Sequence, residues 1–154
     1  MKNIQTCFSP QLFPLFNHKE SIVVVVDILR ATSAICTAFA NGAKSVIPVA
    51  TVKEAFDWKV KGYLVAGERN GEKVDGFDFG NSPYSYMENN IKGKDIVLTT
   101  TNGTQAIHAA RKAEKVVIGS FLNLTALGKY LTEQNKDVII LCAACTTPIM
   151  VTDT

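Results

Sequence analysis

The sequence contains little of what would mark several large classes of protein. Its 154 residues include one tryptophan and two histidines, and the formal net charge is only +2. So small a surplus of positive charge gives no case for binding nucleic acid or an acidic membrane surface. No stretch approaches the roughly 20 apolar residues that span a bilayer, and the N-terminus lacks the long apolar core of a signal peptide. We therefore expect a cytoplasmic protein that binds neither nucleic acid nor membrane.

The cysteines are few and do not indicate a metal site. They lie in apolar or small-residue settings: Cys7, Cys36, Cys142 and Cys145. A zinc site on the CxxC pair would need a second pair or nearby histidines, and His18 and His108 are not placed like ligands. A redox CxxC normally opens a helix, whereas this pair ends a predicted strand. We expect buried thiols rather than disulfides.

Apolar runs rich in β-branched residues alternate with segments of helical period. Residues 22–28 form a near-continuous apolar run, which is typical of a strand covered on both faces. Further strands are predicted at residues 44–49, 62–66, 95–98, 115–118 and 137–141. Helices are predicted at residues 31–41, after Thr51, after Gly103 and at residues 122–131. This alternation predicts a single α/β domain over residues 1–154, with three layers: a mostly parallel or mixed sheet with helices on both faces.

Polar clusters follow three of the predicted strands, after Val26, Ala66 and Leu98. In parallel sheets, ligands bind at the carboxyl ends of the strands. The coincidence favours a binding site at that edge of the sheet, although polar loops are also common in α/β proteins without a site there.

The first cluster combines a carboxylate, an arginine and two hydroxyls. Asp27 ends a run of four valines, where a charge is costly unless it meets a metal or a cation. Arg30 offers a planar fork of donors that suits phosphate or sulfonate. Thr32 and Ser33 begin the next helix, whose N-terminus favours an anion. The alternative is an internal ion pair of Asp27 with Arg30 beside a capped helix.

The second cluster is a glycine-rich polar stretch over residues 67–83, which predicts a long loop with a helix starting at Ser82 and Pro83. Its carboxylates and amides include Glu68, Asp78 and Asn81, and such oxygens are the ligands that Mg²⁺ prefers. The alternative is a solvated surface loop.

The third cluster, at residues 99–104, reads TTTNGT between a predicted strand and a helix. Its hydroxyls and the following helix N-terminus favour an anion site. It is not a Walker loop, since it lacks the Gly-Lys-Ser/Thr ending. A turn with good capping residues explains it equally well.

Six segments together resemble one family. They occur in order at residues 26–33, 40–43, 67–72, 76–83, 99–104 and 118–123, and they resemble the 2-phosphosulfolactate phosphatase family, often called ComB. The resemblance covers residues 4–142. It implies an α/β fold of the family's own type and Mg²⁺-dependent hydrolysis of 2-phospho-3-sulfolactate to sulfolactate and phosphate, a step towards coenzyme M in methanogens. The substrate would be a small phosphate ester that also carries a sulfonate and a carboxylate.

Matching positions to the family's motifs suggests a role for each of these residues. Asp27 and Arg30 are the predicted catalytic residues. The predicted substrate-binding residues are Arg30, Thr32, Ser33, Arg69, Asn81, Ser82, Asn102, Gly103 and Thr104. The predicted Mg²⁺ ligands are Asp27, Glu68 and Asp78.

Asp27 has two candidate roles. It could bind the metal and orient water, or act as a nucleophile that forms an aspartyl-phosphate. The haloacid dehalogenase phosphatases use the second chemistry and have another Asp two positions on, where this chain has Leu29. We favour the first role.

The sequence departs from the family pattern after residue 142. Family chains are considerably longer, and only Asp153 and Thr154 match the family's acidic motif there. The chain is therefore expected to be a fragment, a shortened relative or one portion of a split protein. A sheet without its neighbouring elements exposes apolar surface, which favours a homo-oligomer. The alternative functions are a non-catalytic anion- or metabolite-binding relative and a phosphatase for another small ester.

Overall fold

The computed structural model describes residues 3–87 and 91–143. Its strands are β1 Ile4–Cys7, β2 Ile22–Val26, β3 Ser45–Pro48, β4 Leu64–Arg69, β5 Glu72–Lys73, β6 Asp95–Thr99, β7 Lys115–Gly119 and β8 Val138–Cys142. Its α-helices are α1 Ala31–Ala40, α2 Val52–Val60, α3 Gly103–Ala110 and α4 Leu124–Glu133. Short 3-10 helices occur at Phe13–Leu15, Pro83–Tyr86 and Phe121–Asn123. None of the helices in these two ranges is long and apolar enough to cross a membrane.

The strands form two sheets of four. The first sheet has the order β1-β8-β2-β7, and all of its strands are parallel. The second has the order β3-β6-β4-β5, in which β5 alone runs antiparallel, beside β4. The carboxyl ends of the parallel strands within each sheet therefore lie at one edge.

The valines of β2 are divided between two apolar environments. Val23 and Val25 belong to a buried cluster with Ala106 of α3. Val24 and Val26 face the other side of the sheet, where they line a cavity with residues of α4 such as Leu127. Because successive side chains of a strand point to opposite faces, an unbroken apolar run fits a strand covered on both sides.

Helices α1 and α3 lie between the two sheets. Ala34 and Ala38 of α1 pack with Leu98 of β6 in a second buried cluster. Ile107 of α3 and Ile118 of β7 contact both this cluster and the one that contains Val25. Helix α2 covers the outer face of the second sheet, and α4 lies on the outer face of the first.

Each sheet thus has helices on both faces, which confirms the predicted three-layer α/β arrangement, with α1 and α3 shared between the sheets. The alternation of strands and helices in the sequence did not show that the strands divide into two sheets, since it carries no information on which strands pair.

Two secondary-structure predictions need correction. The long loop predicted over residues 67–83 was wrong at its start, because Gly67, Glu68 and Arg69 extend β4. Asn70 and Gly71, both at positive φ, then form the tight turn to β5. The Asn-Gly pair is a strong hairpin signal that the polar composition obscured. Strand β1 was not predicted, because it is short and mostly exposed at the edge of its sheet.

Other predictions are confirmed locally. Thr51 caps α2 by accepting a hydrogen bond from the backbone N–H of Glu54 at 3.1 Å. The helix predicted to start at Ser82 and Pro83 is a single 3-10 turn. Of the described cysteines, Cys7 is buried, and none forms a disulfide. Cys145 lies outside the described residues.

Leu141 should be among the residues on which the first sheet depends. It is fully buried beside Val25 and Ala106. We expect Leu141→Ala to lower the free energy of unfolding by about 3 kcal/mol, since it leaves a cavity in a packed core. Chemical denaturation would measure this, with Val60→Ala as a control, because Val60 is 90% exposed on α2. A similar loss in both variants would contradict the packing described above.

Candidate active site

The loops that follow β2, β4 and β6 meet at one edge of the molecule. Nη2 of Arg30, after β2, donates to the carbonyl oxygen of Gly71, after β4, at 2.8 Å. Glu68, near the end of β4, accepts a hydrogen bond from the backbone N–H of Thr101, after β6, at 2.6 Å. Since β2 belongs to one sheet and β4 and β6 to the other, the Arg30 contact joins the two sheets, while the Glu68 contact links two loops of the second sheet. The polar clusters of the sequence do come together here.

Asp27 directly follows β2 and is hydrogen-bonded to the first turn of α1. Its backbone carbonyl accepts from the N–H of Thr32 at 2.9 Å, and its own N–H donates to Oγ1 of Thr32 at 3.0 Å. Its carboxylate accepts hydrogen bonds from the backbone N–H groups of Ala31 and Arg30. The N-terminus of α1 therefore binds the protein's own carboxylate, and the intervening loop contains a cis peptide bond between Leu29 and Arg30.

The carboxylate of Asp27 is electrostatically uncompensated. Burial raises its pKa, the negative charge of Glu68 raises it further, and the backbone N–H groups and Arg30 only partly oppose this rise. None of the ion pairs in residues 3–87 and 91–143 includes Asp27. A carboxylate in this state favours a cation or a proton at its free surface.

Gly103 lets the start of α3 approach Asp27 closely. A Cβ at this position would lie 2.8 Å from Oδ2 of Asp27 and 2.4 Å from the Cβ of Ala31. Any larger residue would push apart the N-termini of α1 and α3. The predicted importance of Gly103 thus has a steric reason, namely that it places a helix N-terminus beside the carboxylate.

Glu68 is a buried anchor for two loops. Oε1 accepts from the N–H of Thr101, and Oε2 accepts from the N–H of Gly71 at 2.9 Å and from Oγ1 of Thr101 at 3.1 Å. Burial by itself raises the pKa of Glu68, but the hydrogen bonds from Thr101 and Gly71 and the charge of Arg69 outweigh it, so that the pKa lies below the ordinary value. Glu68 therefore acts as a hydrogen-bonding anion that fixes the backbone.

Hydrogen bonds to neighbouring residues fix the positions of the two arginines. Arg69 donates to Oγ1 of Thr99 at 2.9 Å and to the carbonyl oxygen of Glu68. Arg30 donates to Gly71, whose N–H is in turn bonded to Glu68. A guanidinium has five N–H donors, so each arginine keeps donors for an anionic ligand.

Three of the predicted anion-binding hydroxyls are used inside the protein. Thr32 bonds to Asp27, and Oγ of Ser33 donates to the carbonyl oxygen of Ile28 at 2.8 Å. Thr104 exchanges hydrogen bonds with Thr100. All of these residues except Ile28 and Asp27 are buried. These hydroxyls shape the loops, and the binding of substrate by Thr32, Ser33 and Thr104 stays a prediction.

Asn102 is placed differently from Thr104. It occupies the N-cap position of α3, but its side chain makes no capping hydrogen bond. It lines a cavity together with Thr101 and Gln105. The amide is therefore available to a ligand at the mouth of the site.

Asp78 is not brought to the other two predicted metal ligands. Its Oδ1 forms an ion pair with Lys59 at 2.8 Å, and its Oδ2 accepts from the N–H of Val65 at 2.9 Å. Lys59 and these hydrogen bonds hold its pKa below the ordinary value despite some burial. Tertiary structure thus gives this carboxylate a partner on α2, and its role as a Mg²⁺ ligand stays a prediction.

Asn81 and Ser82 precede the 3-10 helix that packs against α1. Asn81 is buried, and its Oδ1 has no hydrogen-bond partner. Ser82 is half-buried at the N-cap of the 3-10 helix and makes no capping hydrogen bond with its side chain. No contact in the described structure joins either residue to Asp27 or Glu68.

The donor set fits Mg²⁺ through one carboxylate. Among residues 3–87 and 91–143, no group of three or more His, Cys, Asp or Glu side chains is placed to hold a metal. Mg²⁺ commonly uses one or two protein carboxylates and takes its other ligands from water and substrate phosphate. Asp27 has the uncompensated charge for this role, and Glu68 contributes its negative charge while its oxygens stay bonded to backbone.

Sequence reasoning missed the backbone and supporting groups of the site. Gly71 acts through its N–H and carbonyl, and Thr99 acts by holding Arg69. The TTTNGT motif contains Thr99 and Thr101, but only the fold shows which hydroxyl turns towards β4.

Glu68→Gln tests the anchor. The amide keeps the size of the side chain but replaces one acceptor with an NH₂ group that cannot accept from Thr101 or Gly71. We expect the free energy of unfolding to fall by about 2 kcal/mol, because buried donors lose a charged partner. Denaturant unfolding would measure this, and Glu72→Gln on exposed β5 is the matched control. Equal stability of the two variants would contradict the anchoring role.

A comparison of the native protein with Glu68→Gln also gives a prediction about the pH dependence of stability. Because the pKa of Glu68 is lowered on folding, its contribution to stability is present above the ordinary value of 4.5 and is lost as the pH falls through the lower folded pKa. The difference in unfolding free energy between the native protein and Glu68→Gln should therefore shrink between pH 6 and pH 3. A difference that grows on acidification would contradict the hydrogen-bonded carboxylate.

Comparisons with known proteins find relatives that share one description. A probable 2-phosphosulfolactate phosphatase of Caldanaerobacter subterraneus subsp. tengcongensis is 50% identical over 129 residues, which cover 81% of this chain and 54% of the relative. A protein of the same description from Thermotoga maritima is 52% identical over 120 residues, covering 78% and 52%. One from Carboxydothermus hydrogenoformans is 44% identical over 140 residues, covering 90% and 57%.

The chain spans about half the length of the curated relatives it matches. The family model described as 2-phosphosulpholactate phosphatase matches residues 7–154, which include every residue of the site. The chain therefore belongs to the 2-phosphosulfolactate phosphatase family.

Proposed function

We propose that the protein is a Mg²⁺-dependent phosphatase that hydrolyses 2-phospho-3-sulfolactate to 3-sulfolactate and phosphate. The observation that carries the proposal is the uncompensated carboxylate of Asp27 beside the N-terminus of α3, at the edge where Arg30 and Arg69 are held. Family membership supplies the substrate class, since its described relatives are named for this activity.

The arginines would bind the anionic groups of the substrate. A phosphate ester with a sulfonate and a carboxylate needs several cations, and a guanidinium fork matches such oxygens in pairs. Glu68 and Thr99 fix the two arginines before the ligand arrives. Positioning and charge stabilisation account for most of the catalysis of phosphoryl transfer, so rigid arginines suit the reaction.

Asp27 would orient the attacking water. As the water oxygen bonds to phosphorus, the bond from phosphorus to the ester oxygen breaks, and the proton that the water gives up to Asp27 passes to the leaving alkoxide of sulfolactate. Because burial and Glu68 raise the pKa of Asp27, its carboxylate accepts a proton more readily than an ordinary aspartate.

Asp27 would also hold the cofactor. When bound, Mg²⁺ would draw negative charge from the phosphoryl oxygens. The cytoplasmic location and the place of the product on the way to coenzyme M belong to the same proposal.

Asp27→Asn and Asp78→Asn provide the sharpest test, because both aspartates were candidate ligands. Phosphate release from 2-phospho-3-sulfolactate should require Mg²⁺ and stop with EDTA. We expect Asp27→Asn to reduce turnover by about 100-fold or more. Asp78→Asn should stay within about threefold of the native rate, since it loses only an ion pair near the surface.

Other outcomes would decide against the proposal. Equal losses in the two variants would contradict the separate placement of Asp27 and Asp78. A phosphorylated Asp27 trapped with a slow substrate would establish the nucleophilic role instead. Absence of Mg²⁺-dependent turnover with retained binding of the phosphoester would support a non-catalytic anion-binding protein.

A further inference from the structure

A groove with a basic end leads away from the candidate active site along α3. Two cavities of about 440 and 470 Å³ share Pro10, His108 and Ala109 in their walls. Thr101 and Asn102 line the first of them, so the groove begins at the mouth of the site. Cavities of this size accommodate small ligands.

The far end of the groove is lined by Lys19, Arg111 and Lys112 together with His18. No aspartate or glutamate is among the residues that line either cavity. This is a local imbalance, because the chain as a whole has 16 basic and 14 acidic residues. The ion pairs of the described part of the chain involve other lysines, so these three cations carry uncompensated charge.

The walls of the basic end are built into the fold. His18 donates from Nδ1 to the carbonyl oxygen of Phe16 at 2.9 Å, and its ring lies 4.6 Å from that of the buried Phe13. On the opposite wall, Arg111 lies against His108. The lysines are exposed, while the surfaces between them are fixed by these contacts.

We propose that this groove captures small polyanions of the substrate's class and delivers them to the active site. The proposal rests on the proposed function for the identity of the ligand. In the active site, the carboxylates of Asp27 and Glu68 repel a ligand with several negative charges and so offset the attraction of Arg30 and Arg69. A basic groove at its mouth counters that repulsion and raises the local concentration of the anion.

The groove is a second position and not another part of the same binding site. From Asn102 to Arg111 the chain advances nine helical steps, which corresponds to about 14 Å at 1.5 Å per residue. A three-carbon phosphoester is shorter than that distance, so its contact with the basic end and its contact with Asp27 are separate events.

The test is a titration of ¹⁵N-labelled protein followed by NMR at low ionic strength. Removing Mg²⁺ from protein and buffer with a chelating resin keeps 2-phospho-3-sulfolactate from being hydrolysed without adding a competing polyanion. We expect saturable shifts at residues 18–19 and 108–112 as well as at 101–104. The affinity should follow the order phosphosulfolactate, inorganic phosphate, lactate, and it should weaken by about threefold to tenfold between low and physiological salt, because screening acts on exposed charges.

A matched pair of variants separates a local effect from net charge. Arg111→Gln with Lys112→Gln removes two positive charges from the groove, whereas Lys53→Gln with Lys129→Gln removes two exposed charges from α2 and α4. Only the first pair should abolish the shifts at residues 108–112. Equal effects of the two pairs, or shifts confined to residues 101–104, would overturn the proposal.

Different results would reject the proposed phosphatase activity and the proposed capture of anions in the groove. Salt-sensitive binding in the groove without any turnover would reject the phosphatase activity and keep the groove. Turnover whose kcat/KM is unchanged by the Arg111 and Lys112 substitutions at low salt would reject the groove and keep the phosphatase.

Discussion

The site depends on the carboxylate of Glu68. From the end of β4 it holds the N–H of Gly71 and the N–H and hydroxyl of Thr101, and Gly71 in turn receives Arg30 from the other sheet. Three loops from two separate sheets thus share one buried anion. Hydrogen bonds to a charged acceptor are stronger than those between neutral groups, and leaving a buried donor without its partner is costly. The loops therefore have one favoured arrangement, and the arginines are in place before a ligand binds.

The same arrangement explains why Asp27 remains uncompensated. The carboxylate oxygens of its neighbour Glu68 accept hydrogen bonds from backbone groups, but Glu68 still contributes its negative charge. Gly103 brings a helix N-terminus against Asp27, and the N–H groups of Ala31 and Arg30 satisfy part of the carboxylate. Negative charge is thus concentrated at one carboxylate, which suits a metal ion. The proposed role of the basic groove along α3 is to add long-range attraction for an anion to that of Arg30 and Arg69.

Several predictions from the sequence hold because they rest on local patterns. The valine run of β2 predicts a strand that is covered on both faces, and α3 and α4 cover those faces. Thr51 caps α2 through a contact within four residues. The clusters after β4 and β6 meet because parallel strands of one sheet place their carboxyl ends together, whereas the cluster after β2 joins them from the other sheet through Arg30. An error arose where composition hid a local signal, as with the Asn70-Gly71 turn. The sequence also did not indicate partners that lie far apart in it, such as Lys59 and Asp78.

The sequence alone determined the α/β class, the family and the three loops that carry the site, since repeating apolar patterns and ordered motifs depend only on neighbouring residues. The tertiary structure alone decided what each polar side chain does. Thr32, Ser33 and Thr104 turn inward, Asp78 pairs with α2, and Glu68 becomes an anchor. The physical reason is that a hydroxyl or a carboxylate takes whichever partner the fold brings within about 3 Å, and the spacing of residues along the chain does not specify that partner.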